Sequence, residues 1–128
     1  MAEMINSLGK YAVEKYSDLK SKIKEHGEKS GDVYRASYLQ LDEDTFVTSA
    51  KVDDDPKTKD YVRIYNENKD EEGRISKITT TFSELMVKGR VCVNFDYLQR
   101  MAFGGFEGTA RINETFDAET FKKVETGK

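Results

Sequence analysis

The stretch Asp32-Val33-Tyr34-Arg35-Ala36-Ser37-Tyr38-Leu39 decides the fold, because here the spacing of apolar residues changes from a helical period to a period of two. Tyr34, Ala36 and Tyr38 alternate with Arg35, Ser37 and Leu39. After an acidic corner, Asp42-Glu43-Asp44, the alternation resumes with Phe46, Thr48, Ala50 and Val52. Successive side chains of a strand point to opposite faces, so two such runs joined by a polar corner predict a hairpin.

Upstream of Asp32 the period is that of a helix. Met4, Ile5, Leu8, Tyr11, Ala12, Tyr16, Leu19 and Ile23 fall on one face at about 100° per residue. Glu3, Asn6, Lys10, Glu14, Ser17, Ser21, Lys24 and Glu25 take the other, with Val13 the one apolar residue on the polar side. Lys20, Lys22 and Lys24 followed by Gly27 read as a helix C-terminus. The pattern predicts a helix over 3–26.

Downstream, Asp53 to Asp60 reads as a solvated acidic loop holding the only proline, Pro56. A third strand is expected at Tyr61–Tyr65, a charged turn at Asn66–Gly73 and a β-branched strand at Arg74–Phe82. Leu85-Met86-Val87-Lys88 fits either a strand or a helical turn. Val91, Val93, Phe95 and Tyr97 mark a fifth strand, Gln99–Gly108 a glycine-rich loop, and Thr109–Thr115 a last strand. Asp117 reads as an N-cap, with Phe116 and Phe121 as a hydrophobic staple, so a short C-terminal helix is expected over 118–125. One helix followed by five or six consecutive strands is α+β. The expected architecture is a single domain, 1–128, with the helix packed on an antiparallel meander free to curl toward a barrel.

Composition narrows the functional classes. The chain has 128 residues, net charge −3, and seven each of Tyr and Phe, enough for one aromatic-rich core. Residues 32–73 carry 6 basic against 12 acidic side chains, whereas 74–111 carry six against three. The overall acidity argues against nucleic acid as a partner, and no apolar run approaches the ~20 residues of a membrane span. One cysteine, Cys92, and a start unlike a secretory signal lead us to expect a reducing, cytoplasmic setting.

The chemistry-bearing patterns are sparse. His26 is the single histidine and sits where a helix C-terminus favours its charge, so a His-based triad or a structural zinc site is not expected. Cys92 lies between Val91 and Val93, as a small strand residue would, although it shares a face with Lys88 and Arg90. Asn66–Gly73 fails the EF-hand test, since the required Gly and Glu positions hold Glu71 and Lys77. Asp53, Asp54, Asp55 and Asp60 point in different directions along a loop. No metal site and no cofactor are therefore expected. Glu84, Asp96, Glu107 and Glu114 are the carboxylates whose burial would permit acid–base work, but no spacing pairs them. The segment from Arg100 to Arg111 is richer: its glycines free the backbone, Phe103 and Phe106 offer stacking surfaces, and Lys88, Arg90, Arg100 and Arg111 offer positive charge. It matches neither a Walker loop nor a dinucleotide fingerprint.

With no assembled catalytic group, the first reading is a small intracellular binding protein (an inhibitor, immunity-type or adaptor module) acting by contact and not by turnover. Its partner is another protein or a second copy, and Tyr34, Tyr38, Tyr61 and Tyr65 are the candidate contacts. The alternative is a binder of an anionic, nucleotide-like small molecule, held between helix and curved sheet. Lys88, Arg90, Arg100, Phe103, Phe106 and Arg111 are its candidate ligands, and loop 100–111 its rim. A third reading is an enzyme with a buried carboxylate as base.

Overall fold

The computed structural model describes residues 6–53, 60–103 and 106–125, with the side chains of 102, 103, 106 and 107 left out of the description. Helix α1 runs Ser7–His26. It begins later than the apolar stripe suggests because the Asn6 side chain accepts the Gly9 N–H at 3.0 Å, which makes Asn6 the cap; residues 3–5 lie outside the described residues. At the other end the Gly27 N–H donates to the Ile23 carbonyl at 2.7 Å, with Lys24 and His26 in the last turn. Ala12, Tyr16, Leu19 and Ile23 are buried as their spacing requires, and Val13 packs at the margin of the same core.

Among the described residues nine strands follow, all paired antiparallel: β1 Glu28–Ser30, β2 Val33–Ala36, β3 Leu39–Gln40, β4 Phe46–Asp53, β5 Tyr61–Lys69, β6 Ile75–Val87, β7 Arg90–Phe103, β8 Phe106–Asp117 and β9 Lys123–Val124. The order β1-β2-β4-β5-β6-β7-β8-β9, with β3 also on β4, is a meander. Its first and last strands do not pair, so the sheet is open and not a barrel. The fold is α+β, as expected.

The excess over five or six strands comes from very short ones. Tyr38 has φ 58°, a conformation costly for a bulky residue, and it breaks one expected strand into β2 and β3. β1 folds back on β2 through Gly31-Asp32, where Gly31 (φ 62°) supplies the positive φ that a type II′ hairpin needs. The 85–88 ambiguity resolves as strand: Val87 pairs with Arg90, and Lys88 (φ 51°) and Gly89 (φ 79°) form a two-residue turn of type I′ pattern.

Two expectations need correction. No C-terminal helix forms among the described residues. The Asp117 carboxylate does cap a turn, accepting the N–H groups of Glu119 and Thr120 at 2.8 and 3.0 Å, but Phe121 then takes φ 63°. The chain turns back, and β9 pairs with Thr115–Phe116. Gln99–Gly108 is not a glycine-rich loop either. β7 and β8 stay in register out to Phe103 and Phe106, with only residues 104–105, outside the described residues, between them. Cross-strand pairing there overrides weak local propensity.

The core lies between α1 and one face of the sheet. Phe82 packs on Tyr16 (ring centroids 6.0 Å) and on Phe95 (5.4 Å), and Tyr11 meets Phe95 edge-on at 6.2 Å. Val47, Ala50, Val52, Val62, Val93 and Phe116 complete it. Because directly paired antiparallel residues share a face, the register puts Arg63, Thr81, Asp96 and Asn113 in one row on the opposite, polar face. Among the described residues, no helix is long and apolar enough to cross a membrane.

Candidate functional site

A largely buried polar cluster sits under α1. Tyr16 and Lys20, one helical turn apart, face β5 and β6. The Lys20 ammonium lies 2.9 Å from Glu84 Oε1, 3.6 Å from Asp60 Oδ2 and 5.1 Å from the centre of the Tyr16 ring. Asp60 is 2% exposed, not part of a solvated loop, and its Oδ1 accepts the Asp53 N–H at 3.0 Å. Burial raises its pKa, aided by Glu84 and opposed by the Asp53 N–H and Lys20. The buried Tyr16 hydroxyl has no hydrogen-bond partner among the described residues; burial first, then the Glu84 and Asp60 charges, raises its pKa. The arrangement is a clamp: the carboxylate pair already holds its own counter-ion and ties α1 to the sheet. Clefts at His26–Tyr61, Tyr11–Tyr97 and Gly89–Glu119 are lined by other residues.

The expected anion ligands divide into two groups. Lys88 is in the β6–β7 turn, and Arg90 begins β7. The Arg90 guanidinium is bound to the Asp117 carboxylate and lies 3.6 Å from Glu119. This pairing, with the turn N–H groups, holds Asp117 well below the usual carboxylate range. Arg100 lies ten residues further along β7, about 34 Å away at strand rise. It pairs across to Lys77 and Thr109, with Arg111 a diagonal neighbour on the same face. Arg111 is engaged with Asp96 at 3.2 Å. Phe103 and Phe106 face each other in register at the hairpin end, their side chains outside the described residues. The six positions do not converge, and the cleft of about 210 Å³ between α1 (Tyr11, Lys15) and the sheet (Phe82, Phe95, Tyr97) is lined by none of Lys88, Arg90, Arg100 and Arg111. Cys92 is buried, which raises its thiol pKa. His26 is exposed, 3.5 Å from Glu25.

The four tyrosines divide as well. Tyr34 is half-buried against the core with Lys29 over its ring at 5.5 Å. Tyr61 and Tyr65 lie on the opposite face, hydrogen-bonded to Ser49 (2.9 Å) and Glu67 (3.1 Å). Tyr38 is 79% exposed and, with Tyr61, lines a cleft of about 460 Å³ where α1 ends; His26, Arg35 and Ser49 are also on its wall. Among the described residues, no three His, Cys, Asp or Glu side chains form a metal-binding group.

The feature that sequence reading missed is the outer edge of β8. β9 covers only Thr115 and Phe116, so Phe106 to Glu114, nine residues, carry no neighbouring strand on that side among the described residues. The direction of the backbone groups follows from the register. The Asp117 N–H reaches outward to the Lys122 carbonyl, whereas the Ala118 N–H reaches inward to Val91. By alternation Glu107, Thr109, Arg111 and Asn113 present N–H and C=O to solvent, and Ala110, Ile112 and Glu114 bond to β7. Side chains from Thr109 to Asn113 are exposed, Ile112 by 37%. The signal was available in one form: the last long strand of a meander is necessarily an edge. The chain matches no protein-family model, no curated protein and no solved structure.

Proposed function

We propose that this chain is a small binding protein that acts by contact, and that its docking element is the free edge of β8, which takes an extended protein segment as an added strand. The observation that carries this reading is the nine-residue run 106–114 with its outward backbone groups unpaired by any described strand. Exposed edges of this length are normally shortened, charged or covered, because each is a template for another chain. Main-chain hydrogen bonds supply the affinity in such strand addition, and alternate side chains the specificity. In the Lys20–Asp60–Glu84 cluster one ammonium bridges two carboxylates and ties α1 to the sheet, a structural role that goes with a reading by contact.

The test is a hydrogen-exchange footprint of a complex captured from a lysate. Added protection should fall on the Thr109, Arg111 and Asn113 amides, and Arg111→Pro, which deletes an outward donor but no β7 hydrogen bond, should abolish capture. A footprint confined to the tyrosine face or the cleft would overturn it. A second reading, an anionic small molecule, retains support from the cleft walled by His26, Arg35, Tyr38 and Tyr61. A rise in melting temperature with phosphate or nucleotides, lost in Arg35→Ala, is its expected mark.

A further inference from the structure

We infer that the segment filling the β8 edge is β8 of a second copy of this chain, joined antiparallel about a two-fold axis at Ala110. The inference rests on the contact reading of that edge and adds the identity of the partner.

The run that no described strand covers fixes the register. Phe106 to Glu114 has Ala110 at its midpoint, so a two-fold axis there pairs the whole run with itself and leaves the β9-covered end untouched. Thr109 then faces Arg111 of the second copy, and Glu107 faces Asn113. These are the four residues whose N–H and C=O point outward, so each pair exchanges two hydrogen bonds, about eight in all. Registers centred one residue to either side put Arg111 opposite itself or leave the two runs out of step.

Side-chain shapes agree with this register. Ile112 of one copy falls opposite Gly108 of the other. Ile112 is among the exposed large apolar residues, and at Gly108 a Cβ would meet nothing within 4 Å. In each sheet Ile112 is already paired with Tyr97, and Gly108 with Met101. The contact therefore sets Ile112 in a row between Tyr97 of its own copy and Met101 of the other, with Gly108 as the gap it fills. Ala110, the smallest side chain on the run after Gly108, faces itself at the axis. No like charges stand directly opposite, since Arg111 meets Thr109. Such an interface is isologous and closes at two copies, because each chain has one β8.

The experiment is light scattering after size-exclusion chromatography across a concentration series, with amide exchange read residue by residue. The expected result is a concentration-dependent dimer in which Thr109, Arg111 and Asn113 gain protection together while Ala110 and Ile112 are protected at every concentration. Gly108→Val fills the gap with a residue suited to a strand. It should weaken dimerisation at least about tenfold without lowering the monomer's melting temperature, and Arg111→Pro should leave a folded monomer. A chain monomeric at all concentrations, or a dimer whose added protection lies elsewhere, overturns the second copy. In the monomeric case, protection of the same three amides by a different protein keeps the contact reading alone. Full protection of these amides in the dilute monomer overturns both.

Discussion

At one edge of the sheet β1 is three residues long, wholly exposed, and reads Glu28-Lys29-Ser30. At the other, β8 runs twelve residues, and β9 covers two of them. The first edge is blunted by shortness and charge, the usual defence against strand addition. Among the described residues the second is covered only where α1 and β9 meet it. Phe116 is fully buried there, whereas Ile112, two pleats away on the same face, is 37% exposed. One strand thus carries both a piece of the core, beside the first turns of α1, and an exposed run beyond it.

Truncating the two apolar residues in turn tests this division of β8 most directly. Phe116→Ala should cost about 3–5 kcal/mol in chemical denaturation, as for a large core aromatic that leaves a cavity. Equal losses for Ile112→Ala would erase the distinction. The two glycines that touch each half come next. A Cβ on Gly9 would collide with the Phe121 carbonyl and come within 2.7 Å of Phe116 Cδ1, so Gly9→Ala should destabilise by about 1–3 kcal/mol of overpacking. Gly108→Ala should be neutral or stabilising by under about 1 kcal/mol.

Asp117 hinges the two halves. Asp117→Ala removes the turn cap and the Arg90 pair, for an expected loss of about 1–2 kcal/mol. Its folded pKa is depressed, so its contribution is complete above the ordinary carboxylate value near ~3.9 and is lost as pH falls toward the folded one. Asp117→Asn should therefore flatten the acid limb of a stability–pH curve. Asp60 has the opposite sign. Its folded pKa is raised, so the associated stability is complete below that ordinary value and declines as pH rises through the folded one. Asp60→Asn keeps an acceptor for the Asp53 N–H, and it should remove that decline. Ile112→Ala is the smallest, within about 1 kcal/mol for the monomer at an exposed site.

Much of the fold was legible in local pattern. The stripe Ala12-Tyr16-Leu19-Ile23 located the buried helix face, and the alternation of Val93, Phe95 and Tyr97 located a core-facing strand. The misses share a cause. The stretch 99–108 has no strand periodicity of its own, and pairing with β6 and across the hairpin makes 99–103 and 106–108 strand. Asp117 and Phe116 formed the start of a helix in sequence, but a positive φ at Phe121 ended it after one turn, and the Thr115–Phe116 edge captured the chain. The candidate contacts fared differently. Residue type picked the tyrosines and arginines, and the fold brings only parts of each set together: Tyr38 with Tyr61 at one cleft, Arg100 beside Arg111 on one face.

The sequence alone determined which residues are apolar at which period, and hence the long N-terminal helix, an antiparallel succession of strands and the faces each would bury. Hydrophobic periodicity is local, and it survives without knowledge of neighbours. The length of each strand, the meeting of Asp60 with Lys20 and Glu84, and the run from Phe106 to Glu114 that no described strand covers were decided by tertiary structure. Backbone hydrogen bonds between strands and the burial of charge depend on what lies alongside, and no window along the chain contains that.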